Sequence, residues 1–511
     1  MSVTAGATLT LAVLAAAGAL PTLALVGTRW MVIPLAPLGG AVVAALAATV
    51  TLALGAPFMM WFVALSVVSS VAAVAIWVRW PSQRPRPGAG GEGLEHRRAD
   101  RLAGVLGAVG ILAASAWSLR ALSSPTVGFD ARALWIMRAG WFLHPHAQLL
   151  VDMRLPQLAL NQSAYPPLVS AAGSVAWSIT GDHTDRLAVV VTALLNTCAL
   201  ATAAFALVEC GRQCHRSVAD RTPDGSRPHR WLRYAPLAAG VAAGVLLVPI
   251  AFGLTEPFMT NGYADPLWSL AALGALTYGL QLGDSRSNRG VTVLLLLVAG
   301  LSKDEGFVTA AALIGVVALR RLATLDPDQR RRGWWPPVVV AGLELATLAA
   351  WPLLMRAIHA RGIASTYSSP SAWPGRARAT FDGFTPYLHV LLVAIPVAVI
   401  GGLVLARVRR VGGVANDWWA WTGLASGLVA VGGALVTGSD SIQSWLVTTV
   451  HRVTEFPALA GWWIVAVWLV VGVTAVSLGV EVPDSPAEVE GAPPAPATAV
   501  PVGASTGGSG R

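Results

Sequence analysis

A small set of charged side chains interrupts a chain that is otherwise apolar. Asp130 and Arg132 stand in Gly128-Phe129-Asp130-Ala131-Arg132-Ala133-Leu134-Trp135, just after an apolar segment that ends near Leu122. Asp265 follows Asn261-Gly262-Tyr263, and Lys303-Asp304-Glu305-Gly306 breaks another apolar stretch between two short helices. Arg452 and Glu455 precede the last apolar run. In lipid such groups are costly unless they pair, hydrate or react. A carboxylate can accept the proton of an attacking hydroxyl, and a lysine ammonium or arginine fork can neutralise a phosphate. Lys303 is the only lysine in the 511 residues, which singles it out against a background of arginine.

Each group has a plainer reading. Asp130 and Arg132 could form an ion pair of their loop. Asp265 could be a helix N-terminal carboxylate favoured by the helix dipole, and Lys303-Asp304-Glu305 an ordinary polar turn. Glu344 sits near the middle of an apolar run, where a helix–helix hydrogen bond accounts for it. His144 and His146 flank Pro145 without a clear acidic partner. Cys210, Cys214 and His215 make half a metal site with no second pair. Cys198 reads as a small core residue.

The elements that must position these groups are membrane spans. The chain is 55% apolar and 12% charged, unlike any soluble domain of this length. Runs of about 17 to 24 apolar residues recur, the length that crosses roughly 30 Å of hydrocarbon. Hydropathy predicts an all-α polytopic membrane protein with about 13 transmembrane helices: 7–27, 31–54, 57–79, 101–121, 186–208, 234–252, 263–282, 290–302, 306–322, 335–357, 385–407, 416–438 and 459–480. The N-terminal run has no basic residues before it and reads as a first helix, not a cleaved signal. Tryptophans near span ends, such as Trp80, Trp334, Trp335, Trp418 and Trp419, suit interfacial belts.

Arginine counts orient the spans. Clusters at 79–101, 210–233, 320–332 and 407–410 should be cytoplasmic. The apolar run Pro166 to Ile179 is too short to cross, and a crossing there would invert the 210–233 cluster. Residues 165–180 therefore read as a juxtamembrane or re-entrant helix within one large outer loop, 122–185. The charges named above then collect on the extracytoplasmic side. Three regions follow: N-terminal helices with a cytoplasmic loop (1–100), a transmembrane core (101–480), and a Pro-, Ala- and Gly-rich tail (481–511) expected to be disordered. The positive charge of +9 lies in short loops, so nucleic acid is not an expected partner.

The order of these motifs resembles the GT-C superfamily of polyprenyl-phosphate-sugar-dependent glycosyltransferases, especially bacterial relatives of protein O-mannosyltransferases and of the lipid A aminoarabinose transferase. The likeness rests on Asp130 opening the first large outer loop and on Tyr165-Pro166-Pro167-Leu168 before a short apolar helix. It rests also on Asp265 heading a later span, on Lys303-Asp304-Glu305-Gly306 after Gly-Leu-Ser, and on the stretch Trp445 to Arg452. It covers roughly residues 101–460. It implies a GT-C-like fold in a bacterial plasma membrane, an extracytoplasmic active site, and Asp130 as general base. Arg132, Lys303 and Arg452 would meet the donor phosphate. Tyr165 would line the donor site, and Asp265 and Glu305 would orient sugar hydroxyls or hold the cations. The implied partners are a polyprenyl-phosphate sugar, a glycan, lipid or protein acceptor, and membrane lipid. No metal ligand is assigned, and a divalent cation stays open as cofactor. The chain departs from the pattern in having Ser163-Ala164-Tyr165 where many relatives carry an acid, in its three preceding spans, and in lacking a soluble domain after the last span. The competing readings are a lipid-linked sugar flippase or secondary transporter and a non-catalytic scaffold subunit.

Overall fold

The computed structural model describes residues 1–27, 30–79, 93–119, 126–155, 164–219, 230–325, 334–360, 368–408, 417–438 and 442–479. The expected tail at 481–511, Trp80 and parts of the arginine-rich loops lie outside these residues. Among the described residues the chain is helical and has no strand, so the all-α reading holds. In lipid, backbone amides must be satisfied within each segment, and helices do this.

The first four helices are α1 (Val3–Val26), α2 (Val32–Leu54), α3 (Phe58–Arg79) and α4 (Gly93–Leu119). A loop region follows with a π-helix (Ala131–Ile136) running into α5 (Met137–Trp141), then α6 (His146–Arg154) and α7 (Leu168–Thr180). Next come α8 (Asp185–Ala219), α9 (Ala235–Thr255), α10 (Asp265–Leu276) with a π-helical extension (Thr277–Gln281), α11 (Arg286–Ser302) and α12 (Asp304–Thr324). The chain continues through α13 (Trp335–Ala357), α14 (Trp373–Phe384), α15 (Val390–Val408), α16 (Asp417–Thr437), α17 (Ile442–Thr448), α18 (Val450–Val453) and α19 (Glu455–Gly479).

Ten described helices are long and apolar enough to cross a membrane, or up to eleven if the bent pair around Tyr387 and Val390 is one span. The protein is therefore a multi-pass membrane protein. The hydropathy count of thirteen is higher because it includes 263–282 and 290–302, which form short helices. Even so, α10 and α12 run side by side over their whole lengths. Arg320, near the end of α12, donates to the carbonyls of Gly279 and Leu282, while Gly306, at the start of α12, faces Trp268. The run at 165–180 forms α7, thirteen residues long and buried against α2 and α8, shorter than the described helices that qualify as spans.

The first three helices are built into the bundle. One apolar core runs from Ala7 to Val471, and α2 packs on α7, α8 and α11. Helices α1 and α2 meet through small residues, the usual contact where no hydrophobic effect drives association in lipid. A Cβ on Gly40 would lie 1.9 Å from the Leu14 carbonyl oxygen, backbone against backbone. Gly40→Ala is therefore expected to lower the melting temperature of the detergent-solubilised protein by several degrees, corresponding to about 1–3 kcal/mol of overpacking. Gly315, with open space around its Cα, is the control: Gly315→Ala should melt like the wild type.

Tryptophan placement follows the belt expectation only in part. Trp334, Trp335 and Trp418 are exposed near helix ends, whereas Trp135, Trp268, Trp351 and Trp463 are fully buried. Two of the buried indoles have found partners, Trp351 donating to the Ala164 carbonyl and Trp463 to the Ala203 carbonyl.

Candidate functional site

The π-helix begins directly after Asp130 and is anchored at its entry. The Gly128 amide donates to the Asn261 carbonyl at 3.0 Å, stitching this loop to the one ahead of α10. Asn196 on α8 steadies the second loop, its side-chain amide donating to the carbonyls of Met259 and Tyr263. Asp265 then opens α10, where the N-terminal dipole favours a carboxylate. Lys303 is the extended residue between α11 and α12. The turn is tight because a Cβ on Gly306 would lie 2.2 Å from the Ala299 carbonyl oxygen. Arg452 is carried by the short α18, immediately before α19.

These four segments bring their charges together. Arg452 Nη1 donates to Asp130 Oδ2 and lies 3.7 Å from Asp265 Oδ2. Lys303 Nζ donates to Asp265 Oδ1 at 2.6 Å and is 3.2 Å from Glu305 Oε1, an ion pair without hydrogen-bond geometry. The result is a continuous line, Asp130–Arg452–Asp265–Lys303–Glu305. Its interior is dry: the Asp265 and Lys303 side chains are 0% and 2% exposed, while that of Asp130 is 26% exposed. The Arg452 guanidinium lies 5.1 Å from the Tyr263 ring centre and 5.9 Å from that of Phe258, a cation–π shell on its open side.

Tyr165 is buried and stacked with Trp135, which also packs on Tyr263. Burial, with Glu305 and Asp304 nearby, holds the Tyr165 phenol well above its ordinary range, so it stays a hydrogen-bond donor on the edge of the cluster. Burial, with Asp130 close by, likewise raises the Tyr263 phenol.

Arg132 is not part of the cluster. It turns away from Asp130 and donates through Nε to Asp185 Oδ2 at 2.7 Å. Residues two apart on a helix do not face each other, so an ion pair of Asp130 with Arg132 was excluded once this segment coiled. His144 pairs with Asp152, and His146 bonds the Leu52 carbonyl at the end of α2. His215 stacks on Tyr234. Among the described residues no three His, Cys, Asp or Glu side chains are grouped to hold a metal ion.

Arg138, Tyr263 and Phe258 were given no role by sequence, and Glu455 was noted there only as a charge ahead of the last apolar run. Arg138 is wholly buried and donates to the Leu134, Tyr165 and Pro166 carbonyls, fixing the Tyr165-Pro166 turn to the helix that starts at Asp130. An arginine among Ile136, Met137 and Ala139 was the available signal. Tyr263 and Phe258 supply the aromatic shell. Glu455 is buried beside the cluster, with neither carboxyl oxygen hydrogen-bonded among the described residues.

Comparison of the chain with protein-family models, with curated proteins and with solved structures found no match.

Proposed function

We propose that the chain is a glycosyltransferase of the bacterial plasma membrane. It would move a sugar from a polyprenyl-phosphate donor to an acceptor hydroxyl on the extracytoplasmic face, inverting the anomeric centre. The reading is carried by the line of charges from Asp130 to Lys303: a partly exposed carboxylate paired with Arg452, and Lys303 one carboxylate further in, at one end of a helical bundle. The opposite end carries Arg79, Arg98, Arg101, Arg212, Arg216, Arg320 and Arg321. The positive-inside rule makes that end cytoplasmic.

In this mechanism Asp130 accepts the proton of the acceptor hydroxyl as its oxygen bonds to the anomeric carbon. The bond from that carbon to the phosphate oxygen breaks, and its electron pair stays on the phosphate. Arg452 stabilises that developing charge by contact, and Lys303 adds its field from behind Asp265, in a dry site where fixed charges act strongly. A single displacement inverts configuration. Both cations are already held by carboxylates, so an incoming phosphate must displace one. Asp130 is the exchangeable partner, since Asp265 is sealed and held by Lys303. Donor binding thus draws Arg452 off Asp130 and frees the base.

The test is incubation of membranes containing the protein with radiolabelled polyprenyl-phosphate sugars. Label should move into a glycan, lipid or protein fraction only when the protein is present. Label that stays wholly in the donor fraction would sink the reading. Glu344, buried within α13, favours a second reading as a lipid-linked sugar flippase or secondary transporter. That reading requires proteoliposomes to translocate labelled donor without forming product.

A further inference from the structure

The loop ahead of α10 is packed residue by residue against the turn that carries Asp130. The Asn261 carbonyl accepts from the Gly128 amide at 3.0 Å. Gly262 has φ +90°, a backbone region that favours glycine, and a Cβ there would lie 3.0 Å from the Ala131 and Val189 side chains. Tyr263 lays its ring on Gly128, where a Cβ would be 2.1 Å from Tyr263 Cε2. The centre of the same ring lies 5.1 Å from the Arg452 guanidinium carbon. We infer that Tyr263 is a positioning residue of the charged site, holding Asp130 and Arg452 in the alignment from which the donor phosphate is met. The inference rests on the transferase reading and adds a residue to that same site.

Three observations carry it. First, the contact joins the two carboxylates that share Arg452. Asp130 follows Gly128 by two positions and Asp265 follows Tyr263 by two. Arg452 Nη1 pairs with Asp130 Oδ2 and lies 3.7 Å from Asp265 Oδ2. The contact of Tyr263 with Gly128 therefore helps to set the gap that Arg452 bridges. Second, the ring has little room to retreat. It stands against Trp135 and Phe258, with ring centres 6.0 and 5.0 Å away, and the Tyr263 carbonyl is held by Asn196. A side chain at position 128 would push the ring off one of these neighbours or off Arg452. Third, the ring is a partner of Arg452 that a phosphate need not displace. When the donor draws the guanidinium from Asp130, the cation–π contact can persist, and such contacts strengthen as water is excluded.

The test uses the full chain with Tyr263→Leu, which removes the ring face, Tyr263→Phe, which keeps it, Gly128→Ala, and the double variant Gly128→Ala/Tyr263→Leu. Transfer from radiolabelled polyprenyl-phosphate sugar is measured at saturating donor in membranes and expressed per folded protein. Affinity is measured by titrating polyprenyl phosphate into detergent-solubilised protein, and melting temperature is recorded for each variant. Tyr263→Leu and Gly128→Ala should each lower the transfer rate at least about tenfold, because small misplacements of reacting groups cost up to about 10²-fold. Tyr263→Leu should also weaken polyprenyl phosphate by about three- to tenfold, the worth of one cation–π contact. Tyr263→Phe should recover both to within about threefold of wild type. The double variant should be no worse than Tyr263→Leu alone, because the clash at position 128 needs the ring; independent effects would multiply.

A lowered melting temperature with wild-type transfer per folded protein would overturn the inference, leaving Tyr263 as loop packing. So would losses in the double variant that multiply, or a Tyr263→Phe variant as impaired as Tyr263→Leu. If Gly128→Ala does not fold, the comparison of Leu with Phe at position 263 decides. If wild type transfers no sugar, the comparison is read in polyprenyl phosphate affinity alone. A loss with Leu that Phe recovers then keeps the positioning role while the transferase reading fails by itself, and equal affinities overturn the role.

Discussion

Asp130→Asn is expected to stop sugar transfer and, at the same time, to tighten binding of polyprenyl phosphate. Loss of a general base lowers turnover by about 10²–10⁴-fold. The second effect follows from the ion pair with Arg452. In the wild type a donor phosphate competes with the Asp130 carboxylate for the same guanidinium; the amide of the variant competes poorly. A gain of about tenfold in affinity corresponds to roughly 1.4 kcal/mol, within reach of a pair that is partly exposed and so partly screened. Turnover is read with labelled donor, and affinity by titrating polyprenyl phosphate into detergent-solubilised protein. Unchanged or weaker binding by the variant would show that Asp130 does not compete with the phosphate. Wild-type turnover would remove it as base. Should the Asn variant fail to fold, Asp130→Ser removes the same carboxylate with a smaller group.

Lys303→Met should be the most damaging change to stability. Lys303 is held by Asp265 at 2.6 Å with both side chains out of solvent. Removing one partner of a buried pair leaves an uncompensated charge and costs about 3–5 kcal/mol. Against a typical net stability of about 5–15 kcal/mol, that is enough to cut accumulation of folded protein several-fold. The double variant Lys303→Met/Asp265→Asn removes both charges and should recover most of the lost melting temperature, because replacing a whole buried pair is often near neutral. Transfer should not recover with it, since the field of the buried cation behind Arg452 is gone. A single variant as stable as wild type would show that Asp265 gains nothing from Lys303. A double variant with full activity would remove Lys303 from the chemistry.

The residues of the charged line were legible in the sequence for one physical reason. In a chain built for lipid, every ionisable group outside the arginine-rich loops needs a partner, so Asp130, Asp265, Lys303, Glu305 and Arg452 stood out. Their partnering was not legible. Sequence proximity suggested Arg132 for Asp130, but helix geometry turned Arg132 toward Asp185, and the partner came from Arg452, more than three hundred positions away. Arg138 was hidden because its task is local, clamping main-chain carbonyls of the Tyr165 turn. The bundle itself was readable from hydropathy, and α7 from its length. Hydropathy counted 263–282 and 290–302 as spans because it reads apolar length, whereas the helices formed there, α10 with 12 residues and α11 with 17, are shorter than the ten described candidate spans. The belt reading of the span-end tryptophans likewise said nothing of Trp351 and Trp463, whose indoles bond carbonyls inside the bundle.

The most direct measurement is a cryo-EM structure of the protein in nanodiscs with polyprenyl phosphate bound. The phosphate should lie against Arg452 with Lys303 still on Asp265, and the Asp130 carboxylate should have separated from Arg452 beyond about 4 Å, the limit of an ion pair. A phosphate bound elsewhere, with the Asp130–Arg452 contact intact, would contradict the account.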